Sequence, residues 1–551
     1  MNIIDGKILD TGLTKLDAHP LLQKNLAAAA VDAMSRGTKS RFIYDYSLNK
    51  TMNRGTVLAM ALAIRDFIAA EFKGRKRIGI ALPSGIAGIA VNLAVQMAGK
   101  VSVNINFTMG PEAAAACLKR AGINCVISSR KVKEKVEARI PNYPWTDNFY
   151  DISDILLKIG KARIIKKLLQ VKLLPSCIIK KLHGVPAEGG DREASIIFTS
   201  GSEGLPKAAV LSHKNLMANC IQMDATSIIA DDDILHSNLP LFHSFGQSIQ
   251  LWFTCIFKHM QVAVQSPLEV AQNFEAMRKG RSTVMISTPT FLRSYWKKGD
   301  PKDCESLRVV VAGAEKTPDG FLEMWEQKFP MSKYKVGYGL TEASPVVSVN
   351  LPKGLPAKEY RGYETGTRAG AVGQLFGGMQ ACVISPETKQ MLPIGEEGLL
   401  CLKGANVFGG YLDMPEENKS KFKDGWLVTG DIAKLDTDGF IYIKGRLSRF
   451  SKIAGEMVPH TSIEDEIIKI LNLQDSETLA VAIAAREDEN KGECLVLVST
   501  LDIDMQELRK KLSGSGMSNL WIPRVIKKVD KIPVLGTGKL DIAAVQKIAK
   551  E

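Results

Sequence analysis

With 551 residues, a formal net charge of +13, 45% hydrophobic and 24% charged residues, the chain is too long for one hydrophobic core and too apolar for a disordered polymer. The positive balance favours an acidic partner or an anionic membrane surface. Nucleic acid is disfavoured, because no zinc-finger spacing, aromatic RNA-binding signature or Lys/Arg-rich tail accompanies the charge. Nine cysteines without a Cys-x-x-Cys pair exclude a zinc ribbon and point to reduced, buried thiols rather than a disulfide framework.

Met1 to Asp10 carry no basic region followed by an apolar core, so no secretory signal is read and a cytoplasmic chain is expected. Arg77–Leu82 reads as a strand, Ile86–Ala98 as its helix and Val101–Asn104 as the next strand. Pro83 and Ser84 interrupt this apolar run, so it is not a membrane span. Further strands are expected at Asn124–Ser128, Ser195–Phe198, Ser282–Ile286 and Leu307–Ala312, each followed by Gly, Pro or Ser. Strands alternating with helices predict an α/β protein with largely parallel sheet. Between Lys158 and Lys181, the residues Leu157, Ile164, Leu168 and Val171 align on one face of a basic helix with Lys161, Arg163, Lys166, Lys167 and Lys172. That pattern suits either a solvated insertion or, across 155–181, peripheral contact with the inner face of an anionic membrane. From Gly373 to Tyr442 β signals dominate, as in Ala381–Ile384, Gly398–Leu402 and Phe440–Ile443. After Gly445-Arg446 the composition changes to mixed helix and strand with a Lys-rich end, which predicts a large part over 1–446 and a small mobile one over 447–551.

The stretch Phe198-Thr-Ser-Gly-Ser-Glu-Gly-Leu-Pro-Lys207 places hydroxyls, glycines and one cation where a strand runs out. Thr199, Ser200 and Ser202 offer hydroxyl donors, Gly201 and Gly204 let backbone N–H groups close on an anion, and Lys207 adds charge. It is not a Walker loop, because Pro206 stands where the second glycine belongs and Ala208 follows the lysine. Val311-Ala-Gly-Ala-Glu-Lys316 ends one strand with small residues and Lys335-Val-Gly-Tyr-Gly-Leu-Thr-Glu342 ends another, with Tyr338 as a stacking face, so that a purine fits between them. Thr341 supplies a hydroxyl for a phosphate oxygen and Glu342 a carboxylate for Mg2+. Thr429-Gly-Asp431 offers a carboxylate to both ribose hydroxyls and Gly445-Arg446 a guanidinium to the same sugar or a phosphate. Pro533-Val-Leu-Gly-Thr-Gly-Lys539 presents a lysine from a Gly-rich loop near the C-terminus.

In this order the segments resemble the adenylate-forming superfamily of acyl-CoA synthetases, peptide-synthetase adenylation domains and luciferases, over almost the whole chain. Thr199-Ser-Gly-Ser-Glu-Gly204, Pro240-Leu-Phe-His-Ser-Phe-Gly246, Ala312-Gly-Ala-Glu-Lys316 and Lys452-Ile-Ala-Gly-Glu-Met457 look like bacterial acyl-acyl-carrier-protein synthetases, the ligase half of the bifunctional 2-acylglycerophosphoethanolamine acyltransferase/acyl-ACP synthetases. No acyltransferase domain is expected ahead of the ligase pattern, which starts near residue 40, so a separate chain would acylate any lysophospholipid.

The resemblance implies an adenylate-forming fold: two α/β subdomains and a β-rich subdomain in the large part, and a mobile α+β small part. It implies ATP as co-substrate, Mg2+ on Glu342 and Thr199, and a fatty acid passed through acyl-AMP to acyl carrier protein, or alternatively to coenzyme A. A non-catalytic lipid- or carrier-binding scaffold is the reading from another class. Thr199, Ser200, Gly201, Ser202, Glu203 and Gly204 are expected around the phosphates together with Lys207, and Gly313, Ala314, Glu315, Tyr338, Asp431 and Arg446 around the nucleoside. Lys539 would bridge the substrate carboxylate and the α-phosphate. His243 is implied as a gate to an apolar pocket near Phe242, Phe245 and Thr288-Pro-Thr-Phe291. Ser448 occupies the family's hinge position, where many relatives carry Asp or Lys. Rotation there would replace Lys539 by the segment Lys452 to Glu456.

Overall fold

The computed structural model describes residues 1–199, 206–356, 358, 360, 366–453, 456–473, 479–488, 492–534 and 540–551. A six-stranded sheet runs in the order Lys207–Ser212, Glu193–Thr199, Val101–Asn104, Arg77–Ile80, Cys125–Ser128, Asn148–Asp151. It is parallel except where Lys207–Ser212 folds back on Glu193–Thr199, with Lys207 opposite Thr199. The parallel centre of a nine-stranded sheet runs Lys333–Gly339, Val309–Ala312, Val284–Ser287, Ile234–Ser237, Met260–Ala263, Arg41–Asp45. The expected strands are all present, and Val101–Asn104, Cys125–Ser128, Val284–Ser287 and Val309–Ala312 are buried along their whole length and each followed by a helix, as parallel pairing requires.

The helix Ile86–Met97 shows how the two sheets share a core. Ile86, Ile89, Leu93 and Met97 join the central apolar cluster, while Ala90, Val91, Ala94 and Val95 join the one behind the six-stranded sheet. A helix apolar all round is stable only when enclosed, and this one is. Its first turn is tied to the other sheet by the buried Asp45, whose Oδ2 accepts the Ile86 N–H at 3.0 Å.

A third, antiparallel sheet is built mainly from Met379–Ile384, Glu397–Gly404, Trp426–Leu435 and Ile441–Arg446, as the β-rich pattern predicts. Beyond it, the hairpin Phe450–Ile453 and Glu456–Pro459, the sheet Val481–Asp488, Gly492–Ser499, Val525–Lys528, and the helices His460–Ile470, Met505–Gly514 and Ile542–Lys550 enclose apolar clusters of their own around Ile463, Leu497 and Val545.

The basic segment departs from expectation. It forms three helices, Ile152–Ile159, Lys161–Leu173 and Ser176–Leu182, separated at Gly160 (φ 76°) and Pro175. Leu157 therefore lies on the first helix and is exposed, whereas Val171 is buried and Ile164 packs inward on the second. The four residues do not share one face. Among the described residues no helix is long and apolar enough to cross a membrane.

Candidate active site

Because the central strands of the nine-stranded sheet are parallel, their C-terminal ends lie on one edge, where side chains from several loops converge. That edge opens into a cavity of about 2760 Å³. Leu239–Phe245 follow Ile234–Ser237, Thr288 follows Val284–Ser287, Gly313–Lys316 follow Val309–Ala312, and Leu340–Glu342 follow Lys333–Gly339. Members of all four loops line the cavity, including His243, Thr288, Gly313, Ala314, Glu315, Thr341 and Glu342. Gly339 is required by close approach: a Cβ there would meet the Pro345 carbonyl oxygen at 2.2 Å. Any side chain would therefore displace the turn that carries Thr341 and Glu342.

The antiparallel sheet contributes a second wall. Asp431 and Arg446 are direct cross-strand partners, and the Arg446 Nε lies 3.2 Å from Asp431 Oδ1. Tyr338 donates its hydroxyl to Asp431 Oδ2 at 2.5 Å, and Thr429 Oγ1 accepts the Asp431 N–H at 3.0 Å. Asp431 is only 3% exposed, so its charge is held by these partners rather than by water. Burial first, then Asp431, pushes the Tyr338 phenol well above its usual range. The carboxylate keeps the guanidinium of Arg446 firmly charged. Asp431 therefore stands behind Tyr338 and Arg446, both of which line the cavity.

Glu342 Oε1 accepts a short hydrogen bond from the Tyr411 hydroxyl. Burial and then Glu342 raise the Tyr411 phenol, so it remains a donor. Tyr411 is itself bridged to Ala209 on the strand that begins at Lys207. Lys207 lines the cavity, pairs with Glu417 and lies 5.6 Å from the centroid of the Tyr411 ring. Thr199 lines it too, its Oγ1 3.5 Å from the Lys207 carbonyl oxygen. Thr341 Oγ1 is 3.2 Å from Ser244 Oγ. Glu315 binds the first turn of the helix Pro289–Lys298: its Oε2 accepts from Thr290 N at 3.2 Å and from Thr290 Oγ1 at 2.6 Å. Ala314 has φ 69°, a left-handed conformation that an alanine adopts only when its surroundings hold it there.

Among the described residues, no three His, Cys, Asp or Glu side chains form a group able to hold a metal ion. A ready-made cage is not what Mg2+ needs beside polyphosphate; one carboxylate suffices when phosphate oxygens and waters complete the octahedron. Glu342, oriented by Tyr411 on the cavity wall, fits that requirement.

Ser200, Gly201, Ser202, Glu203, Gly204 and Lys539 lie outside the described residues. The residues on either side of Lys539's loop do not: Asp530, Lys531, Ile532, Val534, Leu540, Asp541 and Ile542 all line the cavity. Lys452 and Glu456 do not line it. The Lys452 amino group pairs with Glu387 at 2.5 Å, and the Lys452 backbone N–H donates to Glu493 Oε2 at 2.6 Å.

Sequence reasoning missed Tyr411, Glu417 and Lys421. Lys421 lines the cavity, donates to the Thr429 carbonyl oxygen at 3.1 Å, and has its amino group pushed down chiefly by burial. A short helix with Glu416, Glu417, Lys419 and Lys421 reads in sequence as a solvated surface turn, so no local pattern marks it.

Comparison with known proteins places this geometry in context. The chain is 29% identical over 362 residues to 4-coumarate-CoA ligase 1 of Narcissus pseudonarcissus (64% of this chain, 63% of that protein). It is 30% identical over 362 residues to 4-coumarate--CoA ligase 1 of Solanum tuberosum, with 64% of each chain covered. The match thus spans less than two thirds of these relatives. The fold is that of ATP-bound MatB from Rhodopseudomonas palustris (TM-score 0.76, 22% identity, 96% of this chain and 99% of that one). It is also that of Bacillus subtilis o-succinylbenzoate coenzyme A synthetase, whose structure contains ATP and a magnesium ion (TM-score 0.74, 20% identity, 95% and 99% covered). With the family model for AMP-binding enzymes matching residues 39–412, the chain belongs to the AMP-binding enzyme family.

Proposed function

We propose that the protein is an ATP-dependent acid–thiol ligase that activates a fatty acid as acyl-AMP and passes the acyl group to the phosphopantetheine thiol of an acyl carrier protein. The single observation that carries the acid assignment is the apolar wall of the cavity. Met223, Ile228, Ile229, Ile249, Val349 and Phe376 belong to one contiguous apolar cluster, and all six face the same cavity as Glu342 and Arg446. An alkyl chain buried there gains about 0.8 kcal/mol per methylene. His243 lines the same cavity with its ring 4.8 Å from that of Phe242, and in this reading it is the gate to the apolar wall.

In the first step a carboxylate oxygen bonds to the α-phosphorus of ATP as the bond to the pyrophosphate oxygen breaks. Negative charge gathers on the departing oxygens and must be met by fixed donors. In this reading, the segment Thr199–Gly204 with Lys207 and Thr341 binds the leaving phosphates, and Lys539 bridges the substrate carboxylate and α-phosphate. Gly313, Ala314, Glu315 and Tyr338 form the purine slot, and Asp431 with Arg446 holds the ribose. Bound Mg2+, held by Glu342 and Thr199, would neutralise phosphate charge. In the second step the thiol sulfur attacks the acyl carbonyl carbon, the carbon–oxygen bond to AMP breaks, and the thiol proton leaves to solvent.

The two steps need different surroundings, and we assign the change to rotation of 447–551 about Ser448. Arg446 is paired to Asp431, whereas Arg449 is bound to the buried Glu464 and to the Ile483 carbonyl oxygen at 3.2 Å. Arg446, two residues before the exposed Ser448, and Arg449, immediately after it, are thus anchored to different parts of the chain. Ser448→Pro is expected to keep acid-dependent pyrophosphate exchange and to slow thioester formation by about tenfold or more; unchanged thioester formation excludes a pivot there.

A second reading, transfer to coenzyme A, is favoured by the names of the curated relatives, which are CoA ligases. The carrier-protein reading is supported by the net charge of +13, which steers an acidic protein partner. The test compares holo-acyl carrier protein with coenzyme A as acceptors at equal concentration. Faster acyl transfer to the carrier protein is expected, and equal or higher kcat/KM with coenzyme A establishes the second reading instead.

A further inference from the structure

Six of the sixteen large apolar side chains exposed among the described residues fall between positions 157 and 182: Leu157, Ile165, Leu169, Leu173, Ile178 and Leu182. Scattered exposed leucines need no explanation, but such a concentration does. On the helix Lys161–Leu173 the arrangement is ordered. Val171 is buried and Ile164 packs inward, which fixes the inner face. At about 100° per residue, Ile165, Leu169 and Leu173 fall on an arc of about 80° on the outer side. Lys161 and Lys172 border one edge of that arc and Lys166 the other, with Arg163 farther round on the same side, and all four are exposed. Ile165 is 57% exposed, Leu169 53% and Leu173 77%.

The charge carried by this stretch of the chain is one-signed. Residues 155–187 contain eight Lys and Arg and no Asp or Glu. Lys167 and Lys180 turn inward to Asp66 and Asp32, while the basic residues beside the apolar stripe point outward. An apolar arc bordered by cations on both edges is complementary to a surface with an apolar interior and an anionic rim.

We propose that the outer face of Lys161–Leu173 docks the protein onto an anionic lipid bilayer. Ile165, Leu169 and Leu173 enter the boundary between headgroups and acyl chains, and Lys161, Arg163, Lys166 and Lys172 meet the lipid phosphates. This contact is peripheral and does not depend on which acid or thiol the cavity accepts.

The test floats the full-length protein on a density gradient with vesicles of phosphatidylcholine alone, or of phosphatidylcholine and phosphatidylglycerol in equal parts. The protein is expected to rise with the anionic vesicles and to stay behind with the neutral ones. The triple variant Ile165→Ser, Leu169→Ser, Leu173→Ser is expected to lower the bound fraction about tenfold or more. The quadruple variant Lys161→Gln, Arg163→Gln, Lys166→Gln, Lys172→Gln is expected to do the same. Both should retain the parent's melting temperature and its pyrophosphate exchange. The proposal is overturned if the parent fails to rise with anionic vesicles or if the serine variant rises equally well. It is also overturned if the stripe proves to be a contact between two copies, seen as a dimer of the free chain that the serine variant loses.

Discussion

Lys539→Ala is expected to lower acid-dependent exchange of pyrophosphate into ATP by about 100-fold or more, the usual effect of losing a positioned donor at a site of developing charge. Transfer of the acyl group from synthetic acyl-AMP to a thiol should remain largely intact, because that step forms no bond at phosphorus. The asymmetry follows from where the lysine's loop belongs. Asp530–Ile532 and Leu540–Ile542, on either side of it, line the cavity, whereas Lys452 is held by Glu387 and Glu493 away from it. This arrangement suits the first step. Equal loss in both half-reactions, measured separately, would remove Lys539 from its assigned place.

Glu342→Gln carries the second large effect. The amide keeps an oxygen for the Tyr411 hydroxyl, so the turn after Gly339 should stay in place while the negative charge disappears. Exchange of pyrophosphate into ATP is expected to fall by about 100-fold or more at low Mg2+ and to recover in part as Mg2+ is raised, because the ion retains its phosphate oxygens and waters. A variant with unchanged Mg2+ dependence would show that the carboxylate does not contact the ion. Thermal unfolding close to the parent's separates this from a folding defect.

Much of the architecture was legible in the chain. The strands Arg77–Ile80, Val101–Asn104 and Val309–Ala312 are short, apolar and closed by turn residues, so period and punctuation locate them within a residue or two. The motifs at strand ends were legible for the same reason: a parallel sheet must bring its C-terminal loops to one edge, so Gly313, Tyr338 and Glu342 meet there. What could not be read were contacts between distant segments. Tyr411 reaches Glu342 only because its segment bridges Ala209, and Lys421 reaches the cavity from a helix that looks like surface. The outer face of Lys161–Leu173 could not be read either, because helical periodicity alone does not say which of two apolar arcs packs inward. Contact with the helix Arg54–Glu71 chose Ile164 and Val171, leaving Ile165, Leu169 and Leu173 outside.

The most direct test of acid activation at this cleft uses the purified chain with ATP, Mg2+ and labelled pyrophosphate, adding in turn a long-chain fatty acid and 4-coumarate. Label entering ATP with the fatty acid, at a rate well above that with the aromatic acid, is the predicted result. Exchange with 4-coumarate alone, or with neither acid, would contradict it.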